Sequence, residues 1–427
     1  MDEIAVSVVL PSLNVVPYIG ECLASVRGQT LQEMEILCVD AGSTDGTLEF
    51  LRQKAAEDCR IRLIESGRKS VGHQMNLGVR EARGEYIGIV ETDDYVMLEM
   101  FEKLYHAAKE RDAEIARMDF EAFWGEGAGR QFLPKPVARD GQYGRILVPK
   151  DEQEVFANDM SIWAGIYKRS FLLEHDIWQN ETEGAAYQDQ GFYFQAFACA
   201  RRLLYVQGAE HGYRYRLDNA SSSIHSRGKA HAVCEEFAFI RRQLEERGLF
   251  EAFRDTFYVI QFNRYLWNYL RLDAGAQKKF VHRFAEDMQE AAGGAAFPPH
   301  QRELLGDLLA SPEQFHASRQ AEHQRLLAML HSLRPVILFG CGSDGIRMLD
   351  YLRGQGELGH ISCLADNRAA LHGIDLFGKK VLSPEAAQKQ YSGAFYLVAS
   401  LNYGDAICKQ LIDAGESEQS IWMGHVC

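Results

Sequence analysis

The sequence predicts an α/β protein: a sheet buried between helices in the first half, a helical middle region, and a second, smaller doubly wound α/β unit. Three observations carry this reading. Short continuous apolar runs alternate with helix-period segments through the first third of the chain, the pattern of parallel strands covered on both faces. From about 230 to 333 those runs give way to text rich in Glu, Arg, Gln, Ala and Leu. Strand-then-helix alternation returns from Arg334. The chain has 427 residues, too many for one ordinary domain, and the expected division is 1–228, 229–333 and 334–427.

The elements justify themselves in order. Ala5–Leu10 is an apolar run stopped by Pro11, and Ile19, Cys22, Leu23 and Val26 then recur at helical spacing. Ile36-Leu37-Cys38-Val39 is a second buried strand, ending in the capping cluster Asp40-Ala41-Gly42-Ser43-Thr44-Asp45-Gly46. Leu48, Leu51 and Ala55 follow at helical spacing. Ile61–Ile64 and Tyr86–Val90 are the third and fourth strands, the latter running into Glu91-Thr92-Asp93-Asp94. From Phe120 to Val148 the pattern weakens among Gly, Pro and charges. It resumes at Ser161–Leu172, a helix-like stretch opens at Tyr187, and Arg202–Val206 reads as a strand. In the helical region, Phe237, Phe239, Phe257, Phe262, Tyr265, Trp267 and Tyr269 read first as bundle packing and second as an acceptor-binding or membrane-facing surface.

Ligands of parallel sheets gather at the carboxyl ends of the strands, which is where Asp40 and the Glu91–Asp94 cluster fall. Three carboxylates in four residues repel one another unless something positive compensates them. Mg²⁺ or Mn²⁺ prefers oxygen ligands and bridges carboxylates to a substrate diphosphate. The same four residues also read as a solvated acidic loop capping the next helix. Asp40 can accept from a base N–H or a ribose hydroxyl, or simply close an Asx turn.

At these residues the chain resembles the large inverting glycosyltransferase family with the GT-A fold (family 2-like). Val6–Asn14 resembles its opening strand, and Cys38–Thr47 its nucleotide-binding turn. Asn76-Leu77-Gly78 with Ala82–Ile87 resembles the approach to its DxD motif, where Glu91-Thr92-Asp93-Asp94 falls. The likeness is clear over about residues 4–120 and extends to about 225. It implies a nucleotide-sugar site built from Pro11, Ser12, Asn14, Asp40, Asn76, Glu91, Thr92 and Asp94, with Asp93 on a Mn²⁺ or Mg²⁺ ion. Tyr187-Gln188-Asp189 resembles the later acidic motif, which implies Asp189 as the general base of a single displacement. Ser161–Lys168 resembles the segment upstream of it, where Trp163 would stack on a sugar or pack in the core. Tyr213–Arg216 with Asn219–Ser223 resembles a loop that folds over the diphosphate, where Arg216 or His225 would meet phosphate. Glu91 for the usual first Asp, Ala41 for a second Asp, Met75 for Arg and Gln188 for a second acid depart from the pattern.

The last unit carries Gly340-x-Gly342-x-x-Gly345 between a strand and a helix, with Asp366 after the next strand. This is the opening of a dinucleotide fingerprint. Its short length favours a Rossmann-like scaffold, oligomerisation or nucleotide-related module over an NAD site. Cys341 reads as a buried filler.

The net charge of -14 argues against nucleic acid as a partner, since phosphate neutralisation needs clustered cations. Nine scattered cysteines, with no CxxC pair, read as reduced thiols. Met1-Asp2-Glu3 opens no signal peptide, and no run approaches the length of a membrane span. A cytoplasmic location is expected, with peripheral contact at the inner face of the membrane and a homo-oligomer left open. The expected activity is transfer of a sugar from a nucleotide-diphosphate donor, UDP foremost, to a hydroxyl of a glycan or lipid-linked acceptor. The alternatives are a non-catalytic nucleotide-sugar-binding scaffold and an oxidoreductase using the glycine loop.

Overall fold

The computed structural model describes residues 4–218, 230–293, 296–400 and 403–423. By internal contacts the chain forms two compact units, 1–261 and 262–427. This differs from the three-part division read from sequence, because the helical segment does not stand alone: its first helices pack with the unit before it and the rest with the unit after it.

In the first unit the opening alternation folds as expected. The strands are β1 (Val6–Ser12), β2 (Met34–Asp40), β3 (Ile61–Glu65) and β4 (Tyr86–Ile89), separated by α1 (Val16–Arg27), α2 (Thr47–Glu57) and α3 (Val71–Glu81). They lie parallel in the order β3-β2-β1-β4. Every residue of β2 is buried, as its continuous apolar text requires of a central strand. Ile19, Cys22, Leu23 and Val26 form the buried face of α1. Helix α3 lies so close to β1 that a Cβ on Gly78 would sit 2.4 Å from Val9 Cγ1, which explains the Asn-Leu-Gly text at that turn.

Beyond β4 come β5 (Tyr95–Val96), α4 (Met100–Arg111), β6 (Ile115–Met118), β7 (Phe120–Trp124), β8 (Gln131–Lys135), β9 (Ile146–Leu147), β10 (Gly165–Lys168), α5 (Arg169–Glu174), α6 (Gln188–Cys199), β11 (Leu203–Val206) and β12 (Tyr213–Arg216). Strands β10, β6, β11 and β9 extend the main sheet to eight, with β10 antiparallel to both β4 and β6. A second sheet runs β5-β12-β7-β8. The sequence did not announce it, because β7 and β8 are short and flank the glycine-rich turn Gly125–Gly129. Pro134 is tolerated there because β8 is an edge strand. Helix α7 (Ala232–Glu246) closes the unit, and the division falls within α8 (Phe250–Arg271). Phe237 and Phe257 are buried and meet edge to face, 5.7 Å apart, so this aromatic text serves packing.

The second unit begins with the rest of α8 and continues with α9 (Ala274–Asp287), α10 (Pro299–Ala310) and α11 (Pro312–Leu330). It then alternates β13 (Val336–Phe339), α12 (Ser343–Gln355), β14 (Ile361–Ala365), β15 (Asp375–Leu376), β16 (Lys379–Leu382), α13 (Pro384–Gln390), β17 (Phe395–Val398), α14 (Gly404–Asp413) and β18 (Ile421–Met423). The sheet order β15-β16-β14-β13-β17-β18 is a doubly wound, Rossmann-like arrangement, parallel except for β15. Its core joins Ile337, Phe339, Tyr396 and Val398 to Ile407 and Leu411.

Candidate active site

The carboxyl ends of β1, β2 and β4 meet at one edge of the first sheet, where Ser12, Asn14, Asp40 and Thr92 are linked by hydrogen bonds. Asp40 ends β2 and is fully buried. Its Oδ1 accepts the backbone N–H groups of Gly42 (2.9 Å) and Ser43 (2.8 Å), and its Oδ2 accepts the hydroxyls of Ser12 (2.9 Å) and Ser43 (2.6 Å). Asp40 is thus the staple of its turn, and its carboxylate is committed to protein donors. The base contact expected of it would require giving one of them up. Asn14 is exposed on a left-handed backbone at φ 55°, and its side-chain oxygen accepts from Thr44 N–H. Ser12, Asn14 and the Asp40 turn therefore form one hydrogen-bonded ledge.

Thr92 ties the acidic turn to this ledge by donating to the Pro11 carbonyl at 2.9 Å. A residue the sequence reading passed over, Gln74 of α3, donates to the carbonyls of Ser12 and Val39 and so clamps the ends of β1 and β2. Its only sequence signal was a polar side chain on the sheet-facing side of a helix. Asn76 is a correction. Its amide donates to Gln179 O and Glu181 Oε1, and its oxygen accepts from Gln179 N–H, so it holds the 179–181 segment instead of facing a nucleotide.

Glu91, Asp93 and Asp94 each turn a carboxylate oxygen to within 4.8 Å of the others. Asp94 is buried, Asp93 partly so, and Glu91 stands at the rim. Protein packed around the Glu91 carboxyl, with the charges of Asp93 and Asp189, pushes it up to about 8. Burial, followed by the charges of Asp93 and Glu91, raises Asp94 well above the usual carboxylate range. Asp94 Oδ2 is buried without a hydrogen bond of good geometry, although the Tyr213 hydroxyl faces that carboxylate. An all-oxygen set with an orphaned buried oxygen and mutual repulsion fits a divalent cation such as Mn²⁺ or Mg²⁺.

Strand β12 fixes the shape of this turn. The buried Tyr213 hydroxyl accepts from Glu91 N–H at 2.9 Å. Arg216 donates from its backbone to Asp94 Oδ1 (2.7 Å), from Nε to Asp93 O (2.9 Å) and from Nη2 to Glu21 Oε2 (3.1 Å). Arg216 therefore lies at the cluster, and its donors hold the turn and Glu21. Asn219–Ser223 and His225 lie outside the described residues. Trp163 takes the second of its two expected places, the core: it is 7% exposed and stacks on Tyr213 and Tyr215, with Phe120 at its edge. Its ring packs the seam behind the acidic turn and offers no open sugar platform.

Asp189 belongs to a different element, α6. It lies exposed in the first turn of α6, after Tyr187 in a left-handed conformation at φ 66°. Gln188, which replaces an acid of the family pattern, staples the preceding loop through Ala186 N–H and Thr182 Oγ1. The loop is pinned to the turn after β3 by hydrogen bonds between Gly184 and both Lys69 and Val71, and by Arg68 on Glu181 at 2.6 Å. These ties bring Asp189 within electrostatic reach of Glu91.

The acidic cluster of Glu91, Asp93 and Asp94 thus lies at the ends of parallel strands, tied through Thr92 to the ledge of Ser12, Asn14 and Asp40. Residues 7–136 match the family model Glycosyl transferase family 2, and the first unit shares the GT-A fold of solved structures. The chain is 30% identical over 215 residues to Uncharacterized glycosyltransferase EpsJ of Bacillus subtilis, covering 49% of this chain and 60% of that one. It is also 30% identical over 225 residues to Poly(ribitol-phosphate) beta-glucosyltransferase of Bacillus spizizenii, covering 51% of this chain and 33% of the relative. The crystal structure of S. aureus TarS 1-349 in complex with UDP-GlcNAc superposes with a TM-score of 0.59 at 18% identity, covering 75% of this chain and 92% of that one.

The glycine loop of the second unit is occupied by its own protein. Asp366 Oδ2 accepts Cys341 N–H at 2.7 Å, and both its oxygens accept from Arg368. A Cβ on Gly345 would lie 1.8 Å from Gly340 O, so that glycine serves the close approach of α12 to β13. Among the described residues no helix is long and apolar enough to cross a membrane.

Proposed function

We propose that the first unit is the catalytic domain of an inverting glycosyltransferase that moves a sugar from a nucleotide-diphosphate donor, of UDP type, to a hydroxyl of a glycan or lipid-linked acceptor. The observation that carries this reading is the cluster of Glu91, Asp93 and Asp94, mutually repelling and within electrostatic reach of Asp189. The UDP and UDP-GlcNAc bound by TarS, and the polymer acted on by the Bacillus spizizenii relative, support the donor and acceptor classes.

In this reading Ser12, Asn14 and the Asp40 turn hold the nucleoside, and Glu91, Asp93 and Asp94 would hold Mn²⁺ or Mg²⁺. Such an ion, when bound, neutralises the diphosphate as a leaving group. Asp189 takes the proton of the acceptor hydroxyl as its oxygen bonds to the anomeric carbon. The bond from that carbon to the diphosphate oxygen breaks with its electron pair, which inverts the centre and releases the nucleoside diphosphate. Arg216 and Tyr213 keep the acidic turn in place. This reading places the work in the cytoplasm or at the membrane's inner face.

The test is calorimetric titration of UDP, GDP and CDP with and without Mn²⁺, on the wild type and on Asp93→Ala, followed by donor hydrolysis. Metal-dependent binding of UDP, lost in the variant, and slow hydrolysis of a UDP-sugar are expected. Binding without hydrolysis by a folded protein would replace this reading with a non-catalytic nucleotide-sugar scaffold. Absence of binding would remove both.

A further inference from the structure

Outside the glycosyltransferase reading, the second unit brings two histidines and a glutamate together at one point. His331 caps the carboxyl end of α11, while Glu357 and His360 lie in the turn between α12 and β14. Glu357 Oε2 is 2.7 Å from His331 Nε2 and 3.6 Å from His360 Nε2. All three ligand atoms lie within 4.8 Å of one another. The two imidazoles are 4.6 Å apart between centroids and tilted by 48°, so they converge on the carboxylate without stacking face to face.

A simple ion pair leaves part of this geometry without a purpose. One His331–Glu357 hydrogen bond would satisfy that carboxylate oxygen. The His360 Nε2 is beyond hydrogen-bond distance, yet it is held on the same oxygen. Tetrahedral Zn²⁺ with bonds of roughly 2.0–2.2 Å keeps its ligands about 3.3 Å apart, between the two observed separations. The exposure of both histidine side chains, 51% and 44%, leaves a fourth position to water. The ion would also lie beyond the carboxyl end of α11, where the helix dipole favours positive charge.

We propose that His331, Glu357 and His360 form a Zn²⁺-class binding site that fastens the end of α11 to the α12–β14 turn. Two imidazoles and one carboxylate select Zn²⁺ or another late first-row ion over Mg²⁺ and Ca²⁺, which prefer all-oxygen sets. The site is separate in composition from the acidic cluster of the first unit, and Zn²⁺ binding here does not depend on the activity proposed for that unit.

The test uses the full chain, free of any histidine tag, titrated with Zn²⁺ alone at pH 7.5. Wild type and Asp93→Ala are expected each to bind one equivalent that His331→Ala and His360→Ala weaken at least tenfold. Co²⁺ is expected to give visible ligand-field bands that the same variants lose. Glu357→Gln, which keeps the shape of the turn, repeats the measurement with a milder change. Zn²⁺ binding equal in wild type and all three variants, or no binding by wild type, overturns the proposal.

Discussion

Two acidic turns at the ends of parallel strands behave in opposite ways, and the contrast separates a candidate site from a structural one. In the second unit Asp366 follows β14 beside a glycine loop, the place a dinucleotide would occupy. Its oxygens are taken by Cys341 N–H and Arg368, and it is held below the ordinary carboxylate range: burial opposes this, but the Arg368 and backbone hydrogen bonds outweigh it. In the first unit Glu91, Asp93 and Asp94 follow β4 with carboxylate oxygens within 4.8 Å of one another, and Glu91 and Asp94 are pushed upward. A motif whose charges the fold has already neutralised is scaffold. One whose charges are left to a ligand is a candidate site.

The largest way to break this contrast is at the proposed base and metal ligand. Asp189→Asn should lower turnover by roughly 10²–10⁴-fold, the usual worth of general-base catalysis, while leaving nucleotide binding close to wild type. Asp93→Ala should lose both turnover and metal-dependent binding. Asp366→Ala, assayed beside them, should leave both intact. A matching loss of turnover in Asp366→Ala would erase the distinction between the two loops.

Much of this was legible in sequence, for reasons that can be named. Strands β1 to β4 announced themselves because burial on both faces leaves continuous apolar text, and the acidic turn stood out because three carboxylates cannot be close without cause. Asp40 was legible as a strand-end carboxylate that could close an Asx turn, as its bonds to Gly42 and Ser43 do, but its bond to Ser12 was not, since hydrogen-bond partners 28 residues apart leave no local pattern. The β5-β12-β7-β8 sheet was hidden by strands too short to show a period. Asn76 was misplaced because an amide near a motif reads as ligand-facing until its neighbours Gln179 and Glu181 are seen, and Trp163 read as sugar-facing or core until Tyr213 and Tyr215 decided it. Gln74 and Tyr213 gave almost no signal, because both act through backbone groups.

The acidic cluster also predicts a pH dependence of definite sign. Glu91 has its folded value raised from 4.5 to about 8. Between those values the folded state holds more protons than the unfolded one, so metal-free stability falls as pH rises through the window. The expected melting temperature therefore drops from pH 5 to pH 8.5 without metal, and Mn²⁺ restores more of it at pH 8.5 than at pH 6. Glu91→Gln should flatten this slope. Thermal melts across that range check it. A metal effect independent of pH would count against the cation site.

A smaller effect sharpens the scaffold side of the comparison. Asp366→Ala strips the partner from the buried Cys341 N–H and from Arg368, which should cost about 1–3 kcal/mol. The loss should appear in a denaturant transition of the full chain, with turnover unchanged. If Asp366→Ala instead abolished a measurable affinity for NAD, the glycine loop would be a ligand site and not a packing device.

The smallest expected effect tests whether aromatic residues near the site belong to substrate or to core. Trp163 lies with its ring against Tyr213 and Tyr215, and Tyr213 in turn holds Glu91 N–H. Trp163→Phe keeps an aromatic face there and loses part of the stacking, worth about 0.5–1.5 kcal/mol for such a pair. Stability should fall by that order. The KM for donor and acceptor should stay within a factor of about two, since a change well under 1.4 kcal/mol moves binding by less than tenfold. A large rise in acceptor KM with unchanged stability would return Trp163 to the substrate side, because only an interaction made in the bound complex could be lost without cost to the folded chain.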